Sequence, residues 1–154
     1  MPTSVAHYKI AEIGGDGIGP DVVAEAVRVL DAAAGDGLHF SFERSEVGAA
    51  LYQLTGEDLP RDTIDVCRSA DAILFGAVLS AAMMCRWLGV QHKDPRAAAA
   101  GDRIEAAVAE ALQEPGARTR DIGGHATARA AGEAVIRALE SAGDSTWTRG
   151  SFAT

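Results

Sequence analysis

In the stretch ILFGAVLSAAMMCRW, from Ile73 to Trp87, an apolar strand pattern ending in glycine runs straight into an apolar helix pattern. No loop residues stand between Val78 and Leu79. This junction constrains the fold more than any other feature, because the character of the chain changes there. Before it, strand and helix patterns alternate. Residues 8–13, YKIAEI, alternate with period two and enter Gly14-Gly15. Pro20 opens a helix, where its fixed φ and missing N–H are tolerated, and Val22, Val23, Ala26, Val27 and Leu30 recur with helical period. LHFSFERSEVG alternates again, a short helix is expected over 49–54, Pro60 starts another helix, and AILFGA at 72–77 reads as a fully buried third strand. The order β-α-β-α-β predicts parallel pairing through crossover helices.

After the junction the alternation stops. LSAAMMCRWLGVQH is helical, and Asp94-Pro95 is a break followed by a long Ala-rich helix with Ile104, Ala107, Val108, Ala111 and Leu112 inward. Pro115-Gly116 ends it. ARTRDIGG reads as a short extended stretch, and a last helix turns Val135, Ile136 and Leu139 inward. The expected organisation is one α/β domain over 1–142, built from blocks 5–78 and 79–142, with 143–154 as a tail.

Composition narrows the function classes. The net charge of −8 argues against nucleic acid or an anionic membrane as partner, since phosphate needs a basic face. No apolar run reaches the roughly 20 residues of a membrane span, and no signal-peptide pattern is visible at the start, so a cytoplasmic protein is expected. Cys67 and Cys85 sit in apolar helical patterns and read as buried, inert thiols of a reducing compartment. No metal-ligand spacing appears.

GGDGIGPD is the most informative short motif. Its glycines follow a strand and precede a helix, so Gly15, Gly17, Ile18 and Gly19 are candidate ligand-binding positions at the carboxyl end of that strand. Gly76, which ends the third strand pattern, is another. The plainer alternative is a tight turn that packs a helix on its sheet. The motif is neither a dinucleotide fingerprint nor a P-loop. Asp16 and Asp21 lie nearest this mouth, and Asp21 also suits the helix dipole as a first-turn carboxylate. Glu43 and Glu46 lie on the second strand pattern and could reach its carboxyl end. His125 follows Gly123-Gly124 before a helix. Asp16, Asp21, Glu46 and His125 are therefore the candidate catalytic residues, although His7, His39, His92 and His125 show no shared spacing.

YKIAEIGGDGIGPDVVAEAVRVL resembles the N-terminus of the β-decarboxylating dehydrogenases, the family of isopropylmalate, isocitrate and tartrate dehydrogenases. GAALYQLTGEDLPRDTIDVCRSADAILFGAV continues the resemblance in register. LSAAMMCRWLG and DRIEAAVAEALQEPGARTRDIGGHATARAAGEAVIRAL resemble the far, C-terminal end of the same family. The junction thus resembles an internal deletion. The implied fold is a reduced three-layer α/β/α domain with a mostly parallel sheet, the remnant of the large domain of the isopropylmalate dehydrogenase fold.

The region that the resemblance leaves out holds the family's substrate-gripping arginines, its proton-transfer tyrosine and lysine, its Mg²⁺ or Mn²⁺ aspartates and its NAD adenosine loop. The resemblance therefore implies no NAD and no Mg²⁺ or Mn²⁺ site, and loss of the dehydrogenase reaction. Two functions follow as expectations. One is a repurposed enzyme for a non-redox step on a small molecule, such as isomerisation, cyclisation or elimination, with secondary metabolism as a plausible setting. The other is a non-catalytic ligand- or subunit-binding module. Surface left bare at the junction predicts a homo-oligomer, with a dimer favoured, and marks where a new pocket is to be sought.

Overall fold

The computed structural model describes residues 5–147, and side chains over 5–142. Strand β1 (Ala6–Ile13) leads into helix α1 (Gly19–Ala34), strand β2 (Leu38–Ser45), helices α2 (Ala49–Thr55) and α3 (Arg61–Ser69), and strand β3 (Ala72–Leu74). Helices α4 (Val78–Gln91), α5 (Pro95–Ala111) and α6 (Ala128–Trp147) complete the chain, with 3₁₀ turns at Pro115–Ala117 and Arg120–Ile122. Helix α6 runs five residues into the segment read as a tail; residues 148–154 lie outside the described residues.

The sheet order is β2-β1-β3, all parallel, with Ala6 opposite Leu38 and Ile10 opposite Ala72. Because side chains alternate across a strand, Tyr8, Ile10, Leu38 and Phe40 share one face. They join one core with Val23, Val29 and Leu30 of α1, Leu88 of α4, Ile104 of α5 and Leu139 of α6. Ala11 and Ile13 are buried on the opposite face, where α3 packs on β1 and β2. The reduced three-layer α/β domain expected from the sequence is the observed fold. Its helices are shared unequally: α1, α4, α5 and α6 gather on one side.

Two sequence expectations differ from the structure. The third strand is only three residues long and is not fully buried: Ile73 is 51% and Phe75 64% exposed. It is one of the two edge strands, and no strand lies beyond it among the described residues, so Ile73 lacks a neighbour there while Leu74 is buried in the core. ARTRDIGG is extended only at Arg118 and Thr119 and then folds into the 3₁₀ turn Arg120–Ile122. Gly124 N–H donates to the Thr119 carbonyl (2.9 Å) and Ala126 N–H to the Arg118 carbonyl (2.9 Å), which closes the segment into a loop.

A buried polar cluster fixes the start of α5. Asp94 is 7% exposed and caps the helix, accepting from the Arg96 N–H at 3.0 Å. It also accepts from the Tyr8 hydroxyl (3.0 Å) and from Arg96 Nε (2.9 Å). Burial first, then the hydrogen bond to Asp94, pushes the Tyr8 phenol up to about 12.

Candidate functional site

In the strand order β2-β1-β3, the chain leaves β1 to one side and returns to pair on the other. A doubly wound sheet opens a crevice at such a reversal, outside the carboxyl ends of the strands. Here the two loops at that point are the turn after β1 and residues 75–77 after β3. A cavity of about 860 Å³ lies there. Its walls come from the start of α1 (Ile18, Asp21, Val22, Glu25), the junction itself (Ala77, Val78, Leu79), the end of α5, the loop carrying Thr119, Arg120 and Asp121, and the start of α6.

The turn that forms one lip is tight for a steric reason. Gly15 and Gly17 have φ of +67° and +63°. A Cβ on Gly19 would collide with the Gly14 carbonyl oxygen. The Gly19 N–H closes on the Asp16 carbonyl at 3.1 Å, so that amide is held within the turn. The first turns of α1 and α4 carry no side-chain cap, which leaves the positive ends of two helix dipoles beside the cavity.

The lining is mostly aliphatic, with a polar rim of three carboxylates, Asp21, Glu25 and Asp121, and one guanidinium, Arg120. Asp21 and Glu25 stand one helical turn apart on α1, so both face the cavity. Asp21 is exposed. Glu25 is buried against α6 and accepts from Arg28 Nη1 at 2.6 Å. A Cβ at Gly132 of α6 would strike the Glu25 carboxylate, so this glycine permits the close approach of α1 and α6.

The sequence candidates are dispersed over this geometry. Asp21 and Ile18 line the large cavity. Gly15, Asp16 and Glu46 line a second, smaller one of about 290 Å³ between the β1 turn, the end of β2 and α2. Asp16 there accepts from the Ala49 N–H at 2.6 Å and the Ala50 N–H at 3.1 Å, holding the start of α2. The Glu46 carbonyl accepts from the Thr63 hydroxyl at 3.4 Å, while its side chain is exposed. Gly17, Gly19, Gly76 and His125 line neither cavity. Gly76 has φ +127° beside Ser80, and His125 is exposed next to Ala126 of the cavity wall. His7 and His39 stack with ring centroids 5.1 Å apart because the β1–β2 register sets them side by side.

Glu25, Arg120 and Asp121 were not among the sequence candidates. Glu25 carried a legible signal, its i+4 spacing from Asp21, and Gly132 carried another, a glycine within a helical pattern. Arg120 and Asp121 carried none, because their segment has no regular period.

Residues 9–81 match the family model described as isocitrate/isopropylmalate dehydrogenase. The 3-isopropylmalate dehydrogenase of Sulfurimonas denitrificans is 51% identical over 72 residues, 46% of this chain and 20% of that protein. That of Methylococcus capsulatus is 49% identical over 71 residues, 46% of this chain and 20% of that protein. A solved β-decarboxylating dehydrogenase from Thermococcus kodakarensis aligns at 42% identity and a TM-score of 0.40, covering 45% of this chain and 20% of that one. The chain thus spans about one fifth of the length of the curated relatives it matches.

Proposed function

We propose that this chain, whose residues 9–81 match the isocitrate/isopropylmalate dehydrogenase family model, binds a small, largely apolar organic molecule in the 860 Å³ cavity and has lost NAD-dependent decarboxylating dehydrogenation. The observation that carries the reading is the cavity wall. It offers aliphatic surface from Val22, Val78, Leu79 and Val135 and, with Glu25 paired to Arg28 at 2.6 Å, two further carboxylates, Asp21 and Asp121, against the single guanidinium of Arg120. A dicarboxylate substrate or a dinucleotide pyrophosphate would bring two negative charges to that rim, which like-charge repulsion disfavours. The uncapped first turns of α1 and α4 leave backbone N–H donors for a hydrogen-bond acceptor such as a carbonyl oxygen, and the carboxylate rim sets the preference for a neutral one.

The residues present do not fit the family's metal. Among the described residues, no group of three or more His, Cys, Asp or Glu side chains is placed to hold an ion. Nor does the carboxylate rim fit NAD. Among the described residues, no helix is long and apolar enough to cross a membrane. A cytoplasmic setting is part of the proposal, supported by the free Cys67 and Cys85.

The test is a thermal-shift and ¹H–¹⁵N NMR comparison of isocaproamide, a neutral branched probe, with 3-isopropylmalate and NAD. At ~100-fold over Kd a ligand stabilises by about 2.7 kcal/mol, well above detection. Isocaproamide is expected to shift the amides of Val22, Val78 and Val135. A larger shift with isopropylmalate or NAD, or a footprint elsewhere, would refute the reading.

One observation favours a catalytic variant of the same site: Asp21 and Glu25 face one cavity a helical turn apart. Such a pair can take a proton from a carbon next to a carbonyl and return one, a non-redox step of the isomerisation or elimination type. In D₂O the chain should then speed deuterium exchange into the α-carbon of 4-methyl-2-pentanone. Asp21→Asn should abolish the excess rate; an unchanged rate would leave binding alone.

A further inference from the structure

Helix α4 carries an apolar stripe that nothing in the described structure covers. Leu79, Met83, Trp87 and Val90 recur at spacings of four, four and three and are 50%, 68%, 50% and 77% exposed. Such spacing puts them on one face. The opposite face of α4 holds Ala81, Ala82, Cys85 and Leu88 in the core, so α4 is apolar nearly all round. A helix of that kind is ordinarily buried on every side. The stripe continues into a cleft of about 500 Å³ between α3, the free edge of β3 and α4, lined by Cys67, Ile73, Met83 and Trp87 among others.

We propose that a second copy of this chain covers this surface, with α4 packed antiparallel against α4 about a twofold axis. Three observations select a second copy. The stripe is self-complementary: an antiparallel pairing centred on the turn of Cys85 sets Met83 against Trp87 of the second copy and Leu79 against its Val90. An isologous interface needs this reciprocity, and a methionine sulfur against an indole edge is a favourable contact. The charge is also permissive. Arg86, the charged residue within the stripe's span, is turned aside to Asp102 (Nε–Oδ1 2.7 Å) and to Glu105 of α5, so no charge meets its own copy. The apolar surface is extensive as well: Ile73 and the four stripe residues are each half exposed or more, and specific interfaces begin at ~1,200 Å² for a pair.

The pairing also bears on the cavity. Leu79 is the first stripe residue and a wall of the 860 Å³ cavity. A second copy on α4 therefore covers part of that mouth.

Sedimentation equilibrium on the full chain, from low to tens of micromolar, tests the proposal. The expected species has twice the 15.9 kDa chain mass, and dimerisation should strengthen with added salt, because each copy carries −8. Trp87→Glu is expected to weaken dimerisation ~30-fold or more, as loss of a central aromatic anchor does. Should that variant misfold by circular dichroism, Val90→Lys, at a more exposed position, is expected to give a folded monomer. A wild-type chain that remains a single copy throughout, or variants that dimerise as the wild type does, would overturn the proposal.

Discussion

Asp94→Ala is expected to destabilise the fold by about 2–4 kcal/mol at neutral pH. Two losses add. The start of α5 loses its cap, the carboxylate that accepts from the Arg96 N–H at 3.0 Å, which costs ~1 kcal/mol. The Tyr8 hydroxyl, on a side chain only 5% exposed, loses the acceptor it reaches at 3.0 Å, and a stranded buried donor costs ~1–3 kcal/mol. For a chain of this size, ~2–4 °C of melting temperature per kcal/mol predicts a drop of roughly 10 °C. In a Tyr8→Phe background the same substitution should cost ~1 kcal/mol less, because the hydroxyl is no longer there to strand. The pH dependence has a definite sign. The hydrogen bond from Arg96 holds the Asp94 carboxyl below its ordinary value against the opposing effect of burial. The contribution of that charge is present above the unfolded value of ~3.9 and is lost as pH falls through the lower folded value. Urea melts of both single variants and the double variant at pH 7, repeated in acid, measure all of this. A cost below about 1 kcal/mol at pH 7, or one that grows in acid, would refute the reasoning.

The Tyr8 phenol is raised to about 12. Stability is therefore expected to fall as pH rises from ~10 toward that value, and ultraviolet titration should show a late-titrating phenol that Tyr8→Phe removes. Asp16→Ala should free the Ala49 and Ala50 amides and loosen α2 locally by about 1 kcal/mol; amide exchange over 49–55 should quicken several-fold while the β1 amides keep their protection. Cys85 is buried and burial pushes its thiol up to about 12, whereas Cys67 is only half-buried. Thiol labelling of the folded chain should therefore be biphasic, and Cys67→Ser should remove the fast phase.

The sequence made the elements legible where local chemistry dictates them. Pro20, Pro60 and Pro95 mark the helix starts because a proline costs nothing in or just before a first turn. The period-two run of β2 reports one buried face, whereas β1, the central strand, is buried on both faces. Apolarity alone misled at β3, since a run of Ile, Leu and Phe says what a strand would bury and not whether a neighbour exists to bury it. At the site, Asp21 was legible from its place after the glycine turn. Glu25 is one helical turn further along the same face. Arg120 and Asp121 follow no period, so nothing local announced them.

Composition, periodicity and the Val78–Leu79 junction established an α/β domain, its parallel pairing and the place to look for a cavity, because those rest on interactions within a few residues or on topology rules. Which side chains meet depends on contacts the chain makes far from home. Tyr8 reaches Asp94 across 86 positions, and Asp16 holds α2 from 33 residues away. The same distance separates the four candidate catalytic residues into different environments. Side-chain partnership follows from how whole helices pack, and α1 meets α6 as closely as it does because Gly132 has no side chain to stand against Glu25.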